Sequence, residues 1–253
     1  MPRIDLNADV GEGLGPWPMG DDERLIPLVT SANVACGAHA GDPLTIERTV
    51  AIAVRHGVAV GAHPGYPDLV GFGRRELEMT PAELRASVIQ QVAGVAGFAR
   101  AAGVTLTHVK AHGALYNRMA RDAATAEVVA RAVAAVAPDA VFVGLAGSVA
   151  LDAGRGAGLR VAAEAFADRA YERDGSLRSR QLDGAVLATA EEAAAQALSL
   201  ARDGRVRAHD GTELAVRADT ICIHGDTPGA AAYATAVRVA LEGAGVTVVG
   251  LTA

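Results

Sequence analysis

Asp5-Leu6-Asn7-Ala8-Asp9-Val10-Gly11-Glu12 is a strand-like run whose far end carries an acid bracketed by glycine. Asp5, Asn7 and Asp9 alternate with Leu6, Ala8 and Val10, so the three polar side chains share one face of an extended segment. Three polar groups on one face of a buried strand are costly unless they bind something. The same design recurs in Asn33-Val34-Ala35-Cys36-Gly37-Ala38-His39-Ala40-Gly41-Asp42, in Lys110-Ala111-His112-Gly113-Ala114-Leu115-Tyr116-Asn117 and in His224-Gly225-Asp226. Titratable groups at the carboxyl ends of strands are where α/β proteins do chemistry, because the loops there converge on one face. The chain reads as an enzyme.

Outward from these runs, strands and helices alternate. Strands are expected near 3–7, 31–35, 58–62, 104–110, 140–145, 159–164, 219–223 and 246–251. Helix starts are legible at Asp42-Pro43, at Thr80-Pro81 with Glu83, at Thr189 with Glu192 and at Thr227-Pro228. The second of these helices carries Leu84, Val88, Val92, Val95 and Ala99 at helical spacing and stops at Gly103. Val206-Arg207-Ala208 and Leu214-Ala215-Val216 flank Asp210-Gly211, so residues 204–217 form a small hairpin excursion. Alternating elements imply a parallel sheet. An open sheet gathers its functional residues at one switch point; here they follow most strands from first to last. The expected fold is a single-domain (β/α) barrel over residues 1–253, with seven or eight parallel strands.

Each strand end supplies candidates. Asp9, His39, His63, Lys110 and His112 are the candidate catalytic groups, and Asp9, His39, His63 and His112 also form a candidate metal-ligand set. Asn7, Glu12, Tyr116, Glu164, Asp168, Arg169, His224 and Asp226 are candidate substrate contacts. A lysine ending an apolar strand beside a histidine can balance a substrate carboxylate or an oxyanion. The turn-rich segment from Pro64 to Met79 is a candidate lid, and its Arg74 and Arg75 are either anion contacts or surface charges. Asp42 reads as a helix cap, Cys36 as a packed thiol, and His56 and His209 as bystanders.

Composition narrows the classes. With 253 residues, half of them hydrophobic, one sizeable core is available. A net charge of −6 without a Lys/Arg-rich block argues against nucleic acid. No apolar stretch reaches transmembrane length without a charge or turn signal. Two cysteines are too few for a disulfide framework, and the amino-terminal residues lack a signal-peptide core, so a cytoplasmic protein is expected. The GxxxxGK[ST] loop, a strand-linked GxGxxG and the GxSxG elbow are all missing, which disfavours unaided nucleotide binding and serine hydrolysis.

At Asp5–Glu12, Asn33–Pro43, Gly61–Asp68, His112–Asn117, Glu164–Tyr171 and His224–Ala230 the sequence resembles the LamB/YcsF family, the A component of 5-oxoprolinase. The resemblance spans essentially the whole chain. Ala8, Ala38, Ala111 and Thr227 depart from the usual family residues, and none of these changes removes a titratable group. The resemblance implies a barrel of the glycoside hydrolase/deacetylase type. It further implies that the chain works with two other subunits to convert 5-oxoproline to L-glutamate at the expense of ATP, a nucleotide bound with or by the partners. Lys110 and Arg169 would then match the substrate carboxylate and developing negative charge. Two rival readings remain: a metal-dependent carbohydrate deacetylase using Asp9, His39 and His63 or His112, and a non-catalytic lactam-binding subunit.

Overall fold

The structure is a computed structural model and describes residues 2–251. Its strands are β1 (Arg3–Val10), β2 (Ser31–Ala35), β3 (Ala59–His63), β4 (His108–Lys110), β5 (Val141–Leu145), β6 (Arg160–Phe166), β7 (Arg205–Arg207), β8 (Glu213–Ala215), β9 (Thr220–His224) and β10 (Thr247–Val248). The helices are α1 (Asp22–Leu25), α2 (Pro43–Arg55), α3 (Pro81–Ala101), α4 (Gly113–Arg121), α5 (Ala123–Val136), α6 (Val149–Gly156), α7 (Ala190–Asp203) and α8 (Ala230–Gly243). Strands β1 to β6 and β9 pair side by side in parallel, and β9 pairs back to β1, so seven strands close a barrel.

The barrel wall is two-sided. Leu6, Ala8, Ala32, Val34, Val60, Ala62, Val109, Phe142, Ile221 and Ile223 point outward and are fully buried beneath the helices. Helix α3 lays Leu84, Val88, Val92, Val95 and Ala99 into this layer, and its Thr80–Glu83 capping box is formed. The Thr189–Glu192 box that opens α7 is formed as well. Asp42 caps α2, accepting from the amides of Leu44 and Thr45. The excursion is an antiparallel hairpin in which Val206 pairs with Leu214.

Several boundaries differ from expectation; β1 runs on to Val10 and β6 to Phe166. The strand expected at 104–110 is only His108–Lys110; Thr107 already bonds Val60 O through both its amide and its hydroxyl, but Val104–Leu106 run free of the ladder. The strand expected at 246–251 is only Thr247–Val248, and it pairs with Arg3 and Ile4 at the barrel's base without joining the ring. The last helix begins at Ala230, because Gly229 takes a left-handed conformation (φ 79°) after Pro228.

The inner face has little room. A Cβ on Gly61 would lie 2.1 Å from Nε2 of His108, whose ring fills that space. Gly61→Ala is therefore expected to cost roughly 1–3 kcal/mol or more in urea unfolding. Gly94 lies on the exposed side of α3 with nothing near its missing Cβ. Gly94→Ala should stabilise by about 0.5–1 kcal/mol in the same measurement.

Candidate active site

The interior of the barrel is hydrogen-bonded from base to mouth. Asp5 accepts from the hydroxyls of Thr30 (2.8 Å), Ser31 (2.6 Å) and Thr220 (2.5 Å). One layer up, Asn7 donates to Glu164 Oε1 (2.9 Å) and Thr220 (2.6 Å) and accepts from Asn33 (2.7 Å) and Lys110 (3.3 Å). Both its amide hydrogens and its oxygen are engaged inside the protein, so Asn7 braces the site from below. Apolar packing is confined to the β5 side, where Val141, Val143 and Ala162 cluster.

Lys110 ends β4 and stands at the centre. Its ammonium lies 2.9 Å from Asp9 Oδ1, 3.0 Å from Glu164 Oε1 and 2.9 Å from Cys222 Sγ, and 5.3 Å above the Phe166 ring centre. Burial alone would strip its charge; Asp9, Cys222 and Glu164 hold it protonated, well above the usual lysine range. Burial likewise opposes the Asp9 carboxylate, but His63 and Lys110 overcome it and hold Asp9 well below its ordinary value. Lys110 is thus committed to protein carboxylates, and a substrate carboxylate would have to share it.

Beside this centre lie three imidazoles and an acid, all buried: Glu12, His39, His63 and His112. One ligand-type atom from each falls within 4.8 Å of the others. His63 donates through Nδ1 to the Lys110 carbonyl (2.8 Å), and His112 through Nε2 to the Phe72 carbonyl (2.9 Å). His112 Nδ1 then faces His63 Nε2 at 2.9 Å. The His39 and His112 rings stack in parallel with centres 3.8 Å apart. Burial and the neighbouring histidines push His39 and His112 well below the usual imidazole range. Burial and the Asp9 charge push Glu12 well above the carboxylate range. The expected metal set placed Asp9 here; Asp9 Oδ2 is 3.4 Å from His63 Nε2, but the fourth member of the cluster is Glu12.

Residues 64–79 fold over this cluster. Phe72 packs edge-on against His39 and His112 and adopts a positive φ of 53°, costly for a bulky side chain. Its carbonyl bond to His112 and the amide of Ala114 bonding Gly73 O hold the loop in place. Arg74 reaches Asp226 (2.6 Å), while Arg75 pairs with Asp68 at the loop's own base. Asp168 is buried and grips His224 through its ring (3.0 Å) and amide (3.2 Å). Arg169 spends Nε and Nη2 on the carbonyls of Ala185 and Arg178. Tyr116 sets its ring edge-on to Phe166. A cavity of about 960 Å³ opens above, with Asp9, His63, Lys110 and His112 in its floor and Arg74, Arg121, Arg169, Arg173, Arg178 and Arg180 around it.

Of the sequence-derived candidates, Asp9, His63, Lys110, His112, Tyr116, Arg169 and His224 line this cavity. His39 and Glu12 lie beside His112, Asn7 and Glu164 bond one another below, Asp168 holds His224 and Asp226 holds Arg74, whereas His56 and His209 do not line it. His108, Asn33, Thr220 and Cys222 complete the interior and were not among the candidates. His108 donates through Nε2 to Asn33 Oδ1 (2.8 Å), and burial pushes its imidazole down to about 3. Its signal was available: His108, Lys110 and His112 alternate just as Asp5, Asn7 and Asp9 do.

A closed parallel barrel with a polar interior and a titratable cluster at the carboxyl ends of its strands defines a β/α-barrel protein built around one deep site. Residues 4–253 match the LamB/YcsF family, and the chain belongs to that family. It is 57% identical over 248 residues to the 5-oxoprolinase A subunit of Chloroflexus aggregans, covering 98% of each chain. It is 53% identical over 251 residues to the corresponding 5-oxoprolinase component of Syntrophobacter fumaroxidans, covering 99% of each. The lactam utilization protein from Thermus thermophilus superposes with a TM-score of 0.92 at 51% identity, covering 98% of this chain and 99% of that one. Among the described residues no helix is long and apolar enough to cross a membrane.

Removing the central cation should be severe. Lys110→Met leaves Asp9 and Glu164 buried without their shared partner, and unfolding free energy should fall by about 3–5 kcal/mol. The double variant Lys110→Met/Glu164→Gln, which also removes one stranded charge, should recover part of that loss in the same urea titration.

Proposed function

We propose that the chain is the subunit of an ATP-dependent 5-oxoprolinase that handles the lactam, opening 5-oxoproline to L-glutamate together with two other subunits. The observation that carries this reading is the pairing of a basic rim with an acid–base floor. Arg173 and Arg180, with Arg74, Arg121, Arg169 and Arg178 already engaged by protein groups and the acids Glu76 and Asp174 beside them, line a cavity that also holds Asp9, His63, Lys110 and His112. A rim of that kind suits a small anion such as a substrate carboxylate or a phosphorylated lactam. A floor of that kind suits proton transfer. Names of relatives at 52–57% identity support the same assignment.

A lactam is an unreactive amide, and phosphorylating its oxygen turns that oxygen into a good leaving group. Water adding to the activated carbon gives a tetrahedral centre whose collapse breaks the ring C–N bond as the nitrogen takes up a proton, leaving an acyl phosphate. A second water then hydrolyses that acyl phosphate to the glutamate carboxylate and inorganic phosphate. Asp9, with His39, His63 and His112 beside it, is the acid–base or metal-binding centre in this scheme. Because the chain has no phosphate-cradling glycine loop, ATP enters with or through the partner subunits. The deacetylase reading draws on Asp9 with His39 and His63 or His112 as metal ligands.

A coupled assay for glutamate formation from 5-oxoproline and ATP tests the assignment. Turnover is expected with all three subunits and not with this chain alone; full activity of the single chain would overturn the division of labour. Asp9→Asn keeps the shape of the side chain, and Glu164 remains to hold Lys110. Its turnover should fall by roughly a hundredfold or more while 5-oxoproline affinity, read by calorimetry, is retained. If affinity and turnover fall in proportion, the chain is a lactam carrier.

A further inference from the structure

We propose that Glu12, His39, His63 and His112 bind one divalent first-row transition-metal ion. The inference deepens the 5-oxoprolinase reading, since it equips the same site, but it rests on the geometry of these four side chains alone.

The first observation is the pair of facing nitrogens. The Lys110 carbonyl requires a proton on His63 Nδ1, and the Phe72 carbonyl requires one on His112 Nε2. In the neutral rings the remaining nitrogens, His63 Nε2 and His112 Nδ1, carry lone pairs, and these point at each other across 2.9 Å. Two lone pairs at that distance repel unless something positive is shared between them.

A shared proton would satisfy that pair and leave the rest of the cluster unexplained. Both ring nitrogens of His39 and Oε1 of Glu12 are buried with no hydrogen-bond partner. Buried polar atoms without partners are rare, and an ion is one of the few things that accounts for several at once. Oε1 of Glu12 lies 3.8 Å from His39 Nε2 and 3.6 Å from His112 Nδ1. A tetrahedral ion with bonds of about 2.05 Å needs its ligand atoms roughly 3.4 Å apart. The observed separations of 2.9, 3.6 and 3.8 Å bracket that edge.

The neighbouring cluster supplies an internal comparison. Asp9, Cys222 and His224 also bring three ligand-type atoms within 4.8 Å. There the position is served by the Lys110 ammonium, 2.9 Å from both Asp9 and Cys222. Among the described residues no cationic side chain fills the histidine cluster in this way, since the nearby Arg74 is turned to Asp226. The backbone carbonyls that orient His63 and His112 are the outer-shell partners that ligating imidazoles ordinarily have. Three imidazoles and one carboxylate favour zinc, cobalt, nickel, manganese or iron over magnesium or calcium.

The test reads metal, not glutamate, so it can fail independently of the lactam assignment. Protein stripped with chelator and dialysed against Zn²⁺ should retain about one zinc per chain by elemental analysis, and Co²⁺ should give visible d–d absorption. His39→Asn and the near-isosteric Glu12→Gln should each lower zinc affinity by tenfold or more, on the order of a lost ligand or outer partner. His209→Asn, away from the mouth, should bind like the wild type. Circular dichroism confirms folding, and Glu12→Gln alone decides the matter if His39→Asn does not fold. Wild-type protein retaining no zinc, Glu12→Gln binding as tightly as wild type, or His209→Asn abolishing binding would each overturn the proposal.

Discussion

One buried ammonium holds the inside of this barrel together. Lys110 lies between Asp9 from the first strand and Glu164 from the sixth, and all three charged side chains are buried. Buried charges are tolerated only when paired and hydrogen-bonded on every side. That requirement propagates outward: Asn7 and Asn33 tie Asp9 and Glu164 to each other, Thr220 ties Asn7 to Asp5, and Thr30 and Ser31 close the base. The polar column is continuous from one end of the barrel to the other, and it positions the histidines above it.

The usual filling of a β/α barrel is layered branched aliphatic side chains. Here, among the described residues, β5 and its neighbour contribute such a layer, through Val141, Val143 and Ala162. The apolar driving force for folding comes instead from the outer face of the wall, where the helices pack. Stability and chemistry are thereby divided between the two faces of the same strands. Within the column, small residues make the space: glycine at position 61 admits the ring of His108.

This division explains what could be read from the amino-acid sequence. Strand–helix alternation, the capping boxes at Thr80 and Thr189 and the hairpin near 204–217 are local signals, and the structure has them. Strand ends carrying Asp9, His39, His63, Lys110 and His224 were visible because titratable groups interrupt apolar runs there. Other features depend on partners distant in the chain. Nothing local distinguishes Asn7, saturated inside the column, from a ligand contact. Asp168 and Arg169 read as substrate groups, yet the first orients His224 and the second braces carbonyls of its own loop. Glu12 joins the histidine cluster after the chain turns at Gly11 (φ 70°), which no periodicity rule foresees, while Asp9 touches the cluster at His63. Val104–Leu106 look like strand, but the ladder starts only where β3 and β5 can both be reached.

Closure of the ring has a consequence for how the chain acquires its fold. Asp5 bonds Thr220, a contact spanning 215 positions, and the first strand is flanked on one side by the last strand of the barrel. During synthesis, the polar face of β1 therefore emerges long before its partners from β6 and β9. Until those strands arrive its carboxylates have only water to satisfy them, so burying them early is unfavourable. Contacts of this range are kinetically late. The nascent chain must remain open on this side, and assembly of the column becomes the step that commits the protein to its native state.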